Sequence, residues 1–123
     1  MSEIELNGKV VMMTGAGRGM GRAMAIGLAS AGAKLAMIDI DEDVLNDAAG
    51  LVENAGGQGA AMRLVADVTS AENAAATTQK VLDQFGRIDV LVNDAVVGPE
   101  RIGSTFFTEK TKFWDLDDDL WLQ

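Results

Sequence analysis

The segment VVMMTGAGRGMG, residues 10–21, places four glycines directly behind an apolar run. The apolar residues 10–13 predict a buried strand, and the pattern over 20–31 predicts a helix. Glycine accepts positive φ and lets a ligand approach the backbone. The first N–H groups of a helix lack intrahelical partners and attract anions. A strand, a glycine-rich turn and a helix in this order therefore predict a phosphate-binding site.

A single carboxylate follows the next apolar run. Residues 35–38 predict a second strand, which ends on Asp39, 20 positions after Gly19. An acidic side chain at this place can accept hydrogen bonds from both ribose hydroxyls of an adenosine. A 2′-phosphate would meet a like charge there, and the next residue, Ile40, offers no cation to hold it. We interpret Asp39 as favouring NAD over NADP.

Two observations oppose that interpretation. Arg18, inside the glycine turn, is a cation and favours NADP. Asp39 could also simply begin a turn with Asp41 and prepare the following helix, which is a common role for an aspartate in a loop. The combination of the glycine spacing with Asp39 leads us to favour nucleotide binding over the turn alone.

Strand and helix patterns continue to alternate along the chain. Asp41 is suited to cap a second helix that runs to about residue 54. A third strand is predicted over 60–67, a third helix over 70–85 with Thr69 and Glu72 as a capping box, and a fourth strand over 88–93. This order predicts an α/β, doubly wound parallel sheet with strand order 3-2-1-4 and helices on both faces.

Two expectations concern packing. The first helix is expected to direct Ala23, Ile26, Gly27 and Ala31 to one side. Six methionines are interpreted as core side chains: Met12, Met13, Met20, Met24, Met37 and Met62. After Asn93 the pattern changes to a loop that contains Pro99, followed by a helix beginning within 115–119.

Composition narrows the class of protein. With 123 residues the chain is long enough for one domain. Its net charge of −9 argues against nucleic-acid binding, because phosphates require a basic surface. No apolar run is long enough for a membrane span, the N-terminus lacks a signal-peptide pattern, and there is no cysteine. We therefore expect a cytoplasmic protein without a metal site, a nucleic-acid partner or a membrane partner.

Four segments together resemble the short-chain dehydrogenase/reductase family: TGAGRGMG, the strand ending in Asp39, the pair Asp67-Val68, and DVLVNDA at 89–95. The resemblance extends over residues 6–123. It implies a Rossmann-type fold, NAD as cofactor, and hydride transfer between NAD and a small alcohol or carbonyl substrate. It also implies a homo-oligomer when the protein is full length.

The resemblance implies roles for particular residues. Gly15, Gly19 and Gly21 would carry the pyrophosphate turn, Asp39 the adenosine ribose, Asp67 and Val68 the adenine, and Asn93 and Ala95 the floor under the second ribose and the nicotinamide. The complete implied cofactor-binding set is Thr14, Gly15, Arg18, Gly19, Met20, Gly21, Asp39, Ile40, Asp67, Val68, Asn93 and Ala95.

The chain departs from the family after the fourth strand, where Asn93-Asp94-Ala95-Val96 replaces Asn-Asn-Ala-Gly. Val96 is branched where glycine is usual, and Asp94 adds negative charge near an anionic cofactor. The family also uses a serine and a Tyr-x-x-x-Lys pair, and this chain has no tyrosine and no histidine. Ser104 precedes the position of the family's serine, so we assign no catalytic residue.

The sequence leaves two interpretations open. Residues 1–123 are expected to form a single NAD(P)-binding domain, a fragment truncated before the catalytic half and inactive alone. Alternatively, the chain is a catalytically silent nucleotide-binding or interaction module. A Rossmann enzyme of another class, such as a methyltransferase, would need its own motif after the fourth strand, and none is present.

Overall fold

The computed structural model describes residues 4–95, which form a parallel sheet with helices on both faces. The elements in chain order are β1 Val10–Thr14, α1 Gly19–Ser30, β2 Lys34–Asp39, α2 Glu42–Gly56, β3 Ala61–Val65, α3 Ala71–Phe85 and β4 Val90–Asn93.

The strands lie in the order β3-β2-β1-β4, and every neighbouring pair is parallel, as predicted. Thr14, the last residue of β1, pairs with Ile38 of β2 on one side and with Asn93 of β4 on the other. The chain moves outward from β1 to β3 and then crosses back to place β4 on the opposite side. This reversal creates a crevice beyond the carboxyl ends of β1 and β4, where ligands of such sheets bind.

Alternating side chains of the two central strands divide between two cores. Val11, Met13, Leu35 and Met37 face α1 and α2, where they pack with Ala25, Ala29, Leu45, Ala48, Ala49 and Val52. Val10, Met12, Ala36 and Ile38 face α3, where they pack with Leu64 and Val81. Because both faces of β1 and β2 are buried, these strands read as continuous apolar runs.

The four residues expected on one side of α1 do not form its buried face. Ile26 and Ala31 are half-buried, whereas Ala23 and Gly27 are exposed. The buried residues of α1 are Gly21, Ala25 and Ala29. These three small residues recur every four positions and allow close helix packing. A Cβ placed on Gly56 of α2 would lie 2.9 Å from the Cβ of Ala29. Close approach, rather than side-chain size, selects the buried face.

The methionine interpretation holds for five of the six residues. Met12, Met13 and Met37 are buried, and Met24 and Met62 are half-buried against the two cores. Met20 is the exception, with 70% of its surface exposed. It lies in the first turn of α1, outside both core clusters.

The helix caps confirm one prediction and correct another. The side chain of Asp41 accepts a hydrogen bond from the N–H of Val44 and caps α2, as expected. The cap of α3 is Ser70 and not Thr69, because the Thr69 hydroxyl instead donates to Asp67 Oδ1 at 2.7 Å. That bond closes a turn before the helix and moves its start by one residue.

Two strands are shorter than predicted. β3 ends at Val65 because its partner β2 ends at Asp39, which is the residue paired with Val65. β4 begins at Val90, where its pairing with Val11 starts. The expected loop with Pro99, the helix within 115–119, Val96 and Ser104 lie outside the described residues.

Candidate functional site

The predicted site residues collect at the carboxyl edge of the sheet. Thr14, Asp39 and Asn93 end their strands, and Asp67 follows the end of β3 by two residues. The glycine turn of residues 15–18 connects β1 to α1 and crosses the same edge. The structure thereby brings residues from all four strand ends to one edge of the sheet.

Glycines in the turn and at the start of α1 are required by backbone conformation or by close packing. Gly15 and Gly19 have φ of +66° and +58°, a region that side chains of L-residues rarely adopt. A Cβ on Gly15 would also lie 2.8 Å from the backbone nitrogen of Ala95. A Cβ on Gly21 would collide with the carbonyl oxygen of Gly15. The turn therefore folds tightly against the start of α1 and the end of β4.

The N-terminus of α1 differs from those of the other two helices in the described part of the chain. Its N-cap residue, Arg18, makes no side-chain capping bond, and its first turn contains no acidic residue. The Asp41 and Ser70 side chains cap α2 and α3, whose first turns do carry acidic residues. The partial positive charge of the first turn of α1 thus remains available to an anion. The turn and helix fit a dinucleotide pyrophosphate.

Asp39 is fixed by two backbone groups. Its Oδ2 accepts a hydrogen bond from the N–H of Gly17 at 3.0 Å, and its Oδ1 accepts one from the N–H of Asp41 at 3.1 Å. The turn between Asp39 and Asp41, which the sequence offered as an alternative role for Asp39, is therefore formed. Each carboxylate oxygen retains acceptor capacity, so this role is compatible with binding ribose hydroxyls.

Gly17 was missed among the predicted site residues. A Cβ there would lie 2.7 Å from Asp39 Oδ2 and 2.8 Å from Cγ1 of Val44. The glycine lets the turn approach the end of β2 closely enough for its N–H to reach the carboxylate. Its position in the glycine cluster was visible in the sequence, but its partner 22 residues away was not.

Arg18 forms an ion pair at the same edge. Its guanidinium lies 3.2 Å from Asp41 Oδ2, and the two side chains are 66% and 43% exposed. Asp41 was predicted as a helix cap and as a possible turn partner of Asp39, and its contact with Arg18 could not be inferred from spacing.

Thr14 connects the ends of β1 and β4. Its buried hydroxyl oxygen accepts hydrogen bonds from the N–H groups of Asp94 and Ala95, both at 3.2 Å. A Cβ on Gly21 would lie 2.8 Å from Asp94 Oδ2, so this carboxylate lies against the first turn of α1. The structure therefore places an additional negative charge beside the glycine turn.

A cleft of about 290 Å³ lies between the ends of β2 and β3 and the helix α3. Ile40 and Asp67 lie on its wall, and Ile40 is 69% exposed. Its lining is completed by Val65, Ala66, Asn73, Ala76, Thr77 and Lys80. Val68 lies outside this lining and packs against the core beneath α3.

Within residues 4–95 the structure offers neither a metal-binding cluster nor a membrane-spanning helix. No group of three or more His, Cys, Asp or Glu side chains in this range could hold a metal ion. None of its helices is long and apolar enough to cross a membrane.

Comparison with known proteins agrees with this geometry. A family model for short chain dehydrogenases matches residues 9–122. The 7α-hydroxysteroid dehydrogenase of Escherichia coli (strain K12) is 37% identical over 92 residues, which are 75% of this chain and 35% of that protein.

Solved structures give the same result. NAD⁺-bound xylitol dehydrogenase matches with a TM-score of 0.70 and 40% identity, over 74% of this chain and 34% of its own. L-Sorbose reductase from Gluconobacter frateurii, in complex with NADPH and L-sorbose, matches with a TM-score of 0.77 and 27% identity. The match covers 98% of this chain and 42% of that protein. The chain therefore spans about a third to two fifths of the length of these proteins.

Proposed function

The chain belongs to the short-chain dehydrogenase family, and we propose that it binds NAD as the cofactor-binding part of a dehydrogenase or reductase. The observation that carries this proposal is the hydrogen bond from Gly17 to Asp39. It joins the turn suited to phosphate with the carboxylate suited to ribose. NAD presents both groups at once, because its pyrophosphate is attached to the adenosine ribose.

The glycine turn is the proposed pyrophosphate site. The N–H groups at the start of α1 would donate to the phosphate oxygens, supported by the helix dipole. The positive φ of Gly15 and Gly19 allows the turn to curve without strain. Thr14 holds the end of β4 beside the turn, where Asn93 and Ala95 would lie under the second ribose and the nicotinamide.

Asp39 is the proposed determinant of NAD over NADP. A hydrogen bond from a hydroxyl to a charged acceptor contributes about 1.5–3 kcal/mol of stabilisation. A phosphate 4 Å from the carboxylate would cost up to about 4 kcal/mol at an effective dielectric constant near 20. Relatives bind either cofactor, as the NAD⁺ and NADPH complexes show for those proteins. The preference of this chain therefore depends on its own carboxylate.

The cleft beside Ile40 and Asp67 is the proposed adenine site. The exposed Ile40 side chain offers an apolar surface to a base, and Asp67 also lines the cleft. Val68 would border the adenine through its backbone, because its side chain packs into the core.

When bound, the nicotinamide ring would exchange a hydride with a small alcohol or carbonyl compound. We assign that substrate class, a cytoplasmic location and homo-oligomerisation to the full-length protein as parts of the same proposal. Residues 1–123 would be its single NAD(P)-binding domain. The role of this domain is to bind and orient the cofactor.

An NMR titration of the ¹⁵N-labelled protein with NAD tests where the cofactor binds. We expect the amide signals of residues 15–21 and 39–41 to shift together with one dissociation constant. The amides of Lys9 and Asp89 lie at the opposite end of the sheet and should remain unshifted. Shifts confined to that opposite end, or no shifts at all, would contradict the proposed site.

A further inference from the structure

The ion pair between Arg18 and Asp41 bridges the two turns that flank the proposed ribose site. Arg18 is the N-cap residue of α1, and Asp41 is the N-cap residue of α2. Their side chains meet with a separation of 3.2 Å between the guanidinium nitrogen and Asp41 Oδ2. Asp39 lies between them, bonded to Gly17 on the Arg18 side and to the N–H of Asp41 on the other.

The Asp41 carboxylate is held in place from two directions. Its Oδ1 accepts the N–H of Val44 at 3.2 Å, and the backbone of Asp41 is fixed by Asp39. Only Oδ2 is directed to Arg18, so the long and exposed arginine side chain adapts to the aspartate. Asp41 therefore determines the position of the Arg18 guanidinium.

Arg18 and Asp39 would act in opposite directions on a 2′-phosphate. A guanidinium next to the ribose would attract the phosphate and form charge-assisted hydrogen bonds with it. Because Arg18 is paired with Asp41, that ion pair would have to break before Arg18 could bind the phosphate. The negative charge of Asp41 would itself also repel the phosphate.

We propose that Asp41 is a positioning residue for cofactor selectivity, which holds Arg18 away from a 2′-phosphate and thereby reinforces the preference for NAD. This inference rests on the proposed cofactor site. It explains how the chain can carry an arginine in the glycine turn and still select the cofactor without a 2′-phosphate. The effect should be modest, because exposed ion pairs are worth little individually.

The test is the ratio of the dissociation constants for NADP and NAD, measured by calorimetry in four proteins. These are the wild type, Asp41→Asn, Arg18→Gln and the double variant. Asparagine caps a helix as well as aspartate does, so Asp41→Asn keeps the bond to Val44 while it removes the charge. Asp43→Asn, in the first turn of α2, is the matched control for the loss of one negative charge.

We expect Asp41→Asn to lower the NADP/NAD ratio by roughly two- to fivefold, the range that exposed ion pairs provide. The same substitution should change the ratio much less when Arg18 is already Gln, and Asp43→Asn should leave it near the wild-type value. An equal change in both backgrounds would overturn the inference, since Asp41 would then act through its own charge and not through Arg18. An unchanged ratio in a protein that binds NAD would also overturn it while leaving the proposed function intact. A wild-type protein that binds neither cofactor would contradict both.

Discussion

The N–H of Gly17 donates a hydrogen bond to Asp39 Oδ2 across 3.0 Å, although the two residues are 22 positions apart in the sequence. The bond joins the turn after β1 to the end of β2. It fixes the carboxylate at the edge where the proposed phosphate site begins. The two most informative features of the sequence therefore belong to one hydrogen-bonded unit.

Substitution of Gly17 by alanine tests whether this close approach is necessary. The added Cβ would lie within 3 Å of the Asp39 carboxylate and of Val44, so the two turns must separate. We expect a loss of about 1–3 kcal/mol in the free energy of unfolding, as is typical of overpacking. Urea denaturation measures it.

Gly50→Ala is the control for that variant. Gly50 lies within α2 in open space, with nothing within 4 Å of an added Cβ. Alanine there should stabilise the helix by about 0.5–1 kcal/mol. Equal stability changes for the two variants would contradict the packing argument.

Gly19→Ala should separate backbone strain from ligand binding. Gly19 and Gly59 have φ of +58° and +82°, and neither has a neighbour near an added Cβ. Alanine at either position should cost about 1–3 kcal/mol of stability through strain. Only Gly19→Ala should also weaken NAD binding, because Gly19 begins α1 and Gly59 is remote from the proposed site. Comparable loss of NAD affinity in both variants would show that strain alone is responsible.

Asp94→Asn is expected to tighten NAD binding. The Asp94 carboxylate lies against Gly21 in the first turn of α1, next to the proposed pyrophosphate site, so its charge should repel the phosphates. Two unit charges 4 Å apart in water interact by about 1 kcal/mol, which corresponds to about fivefold in the dissociation constant. Calorimetry would measure the change, with the exposed Asp47→Asn on α2 as control. Weaker binding to Asp94→Asn would mean that this carboxylate supports the turn and does not oppose the ligand.

Much of the fold was predictable because it depends on local patterns. Apolar runs of strand length alternate with capped helices, and right-handed crossovers then leave one strand order. The location of the site followed from the same order, because parallel strands end at one edge. The bonds of Asp39 to Gly17 and of Arg18 to Asp41 depend on how two loops meet in space, which spacing does not encode. The buried face of α1 was not evident in the hydrophobic pattern, because it consists of Gly21, Ala25 and Ala29, small residues that make close contacts.

Acid should destabilise the connection between β1 and β4 through Asp89. The Arg87 guanidinium, and next the N–H of Val10, bond to the Asp89 carboxylate and hold its pKa below the ordinary value of 3.8. A lowered pKa in the folded protein means that this stabilisation is complete at neutral pH and is lost as the pH falls below that ordinary value through the folded pKa. Urea unfolding of the wild type and Asp89→Asn over this range checks it. The stability difference should shrink towards acid, whereas a constant difference would contradict the assignment.

The most direct test of the account is the effect of Asp39→Asn on the dissociation constants for NAD and NADP, measured by calorimetry. Asparagine keeps one oxygen, which can accept the Gly17 N–H, but it loses the acceptor for the Asp41 N–H and the charge that opposes a 2′-phosphate. We predict that the wild type binds NAD more tightly than NADP, and that Asp39→Asn narrows the difference by weakening NAD and strengthening NADP. Equal affinities in the wild type, or a difference that Asp39→Asn leaves unchanged, would contradict the assignment of Asp39 and with it the proposed cofactor site.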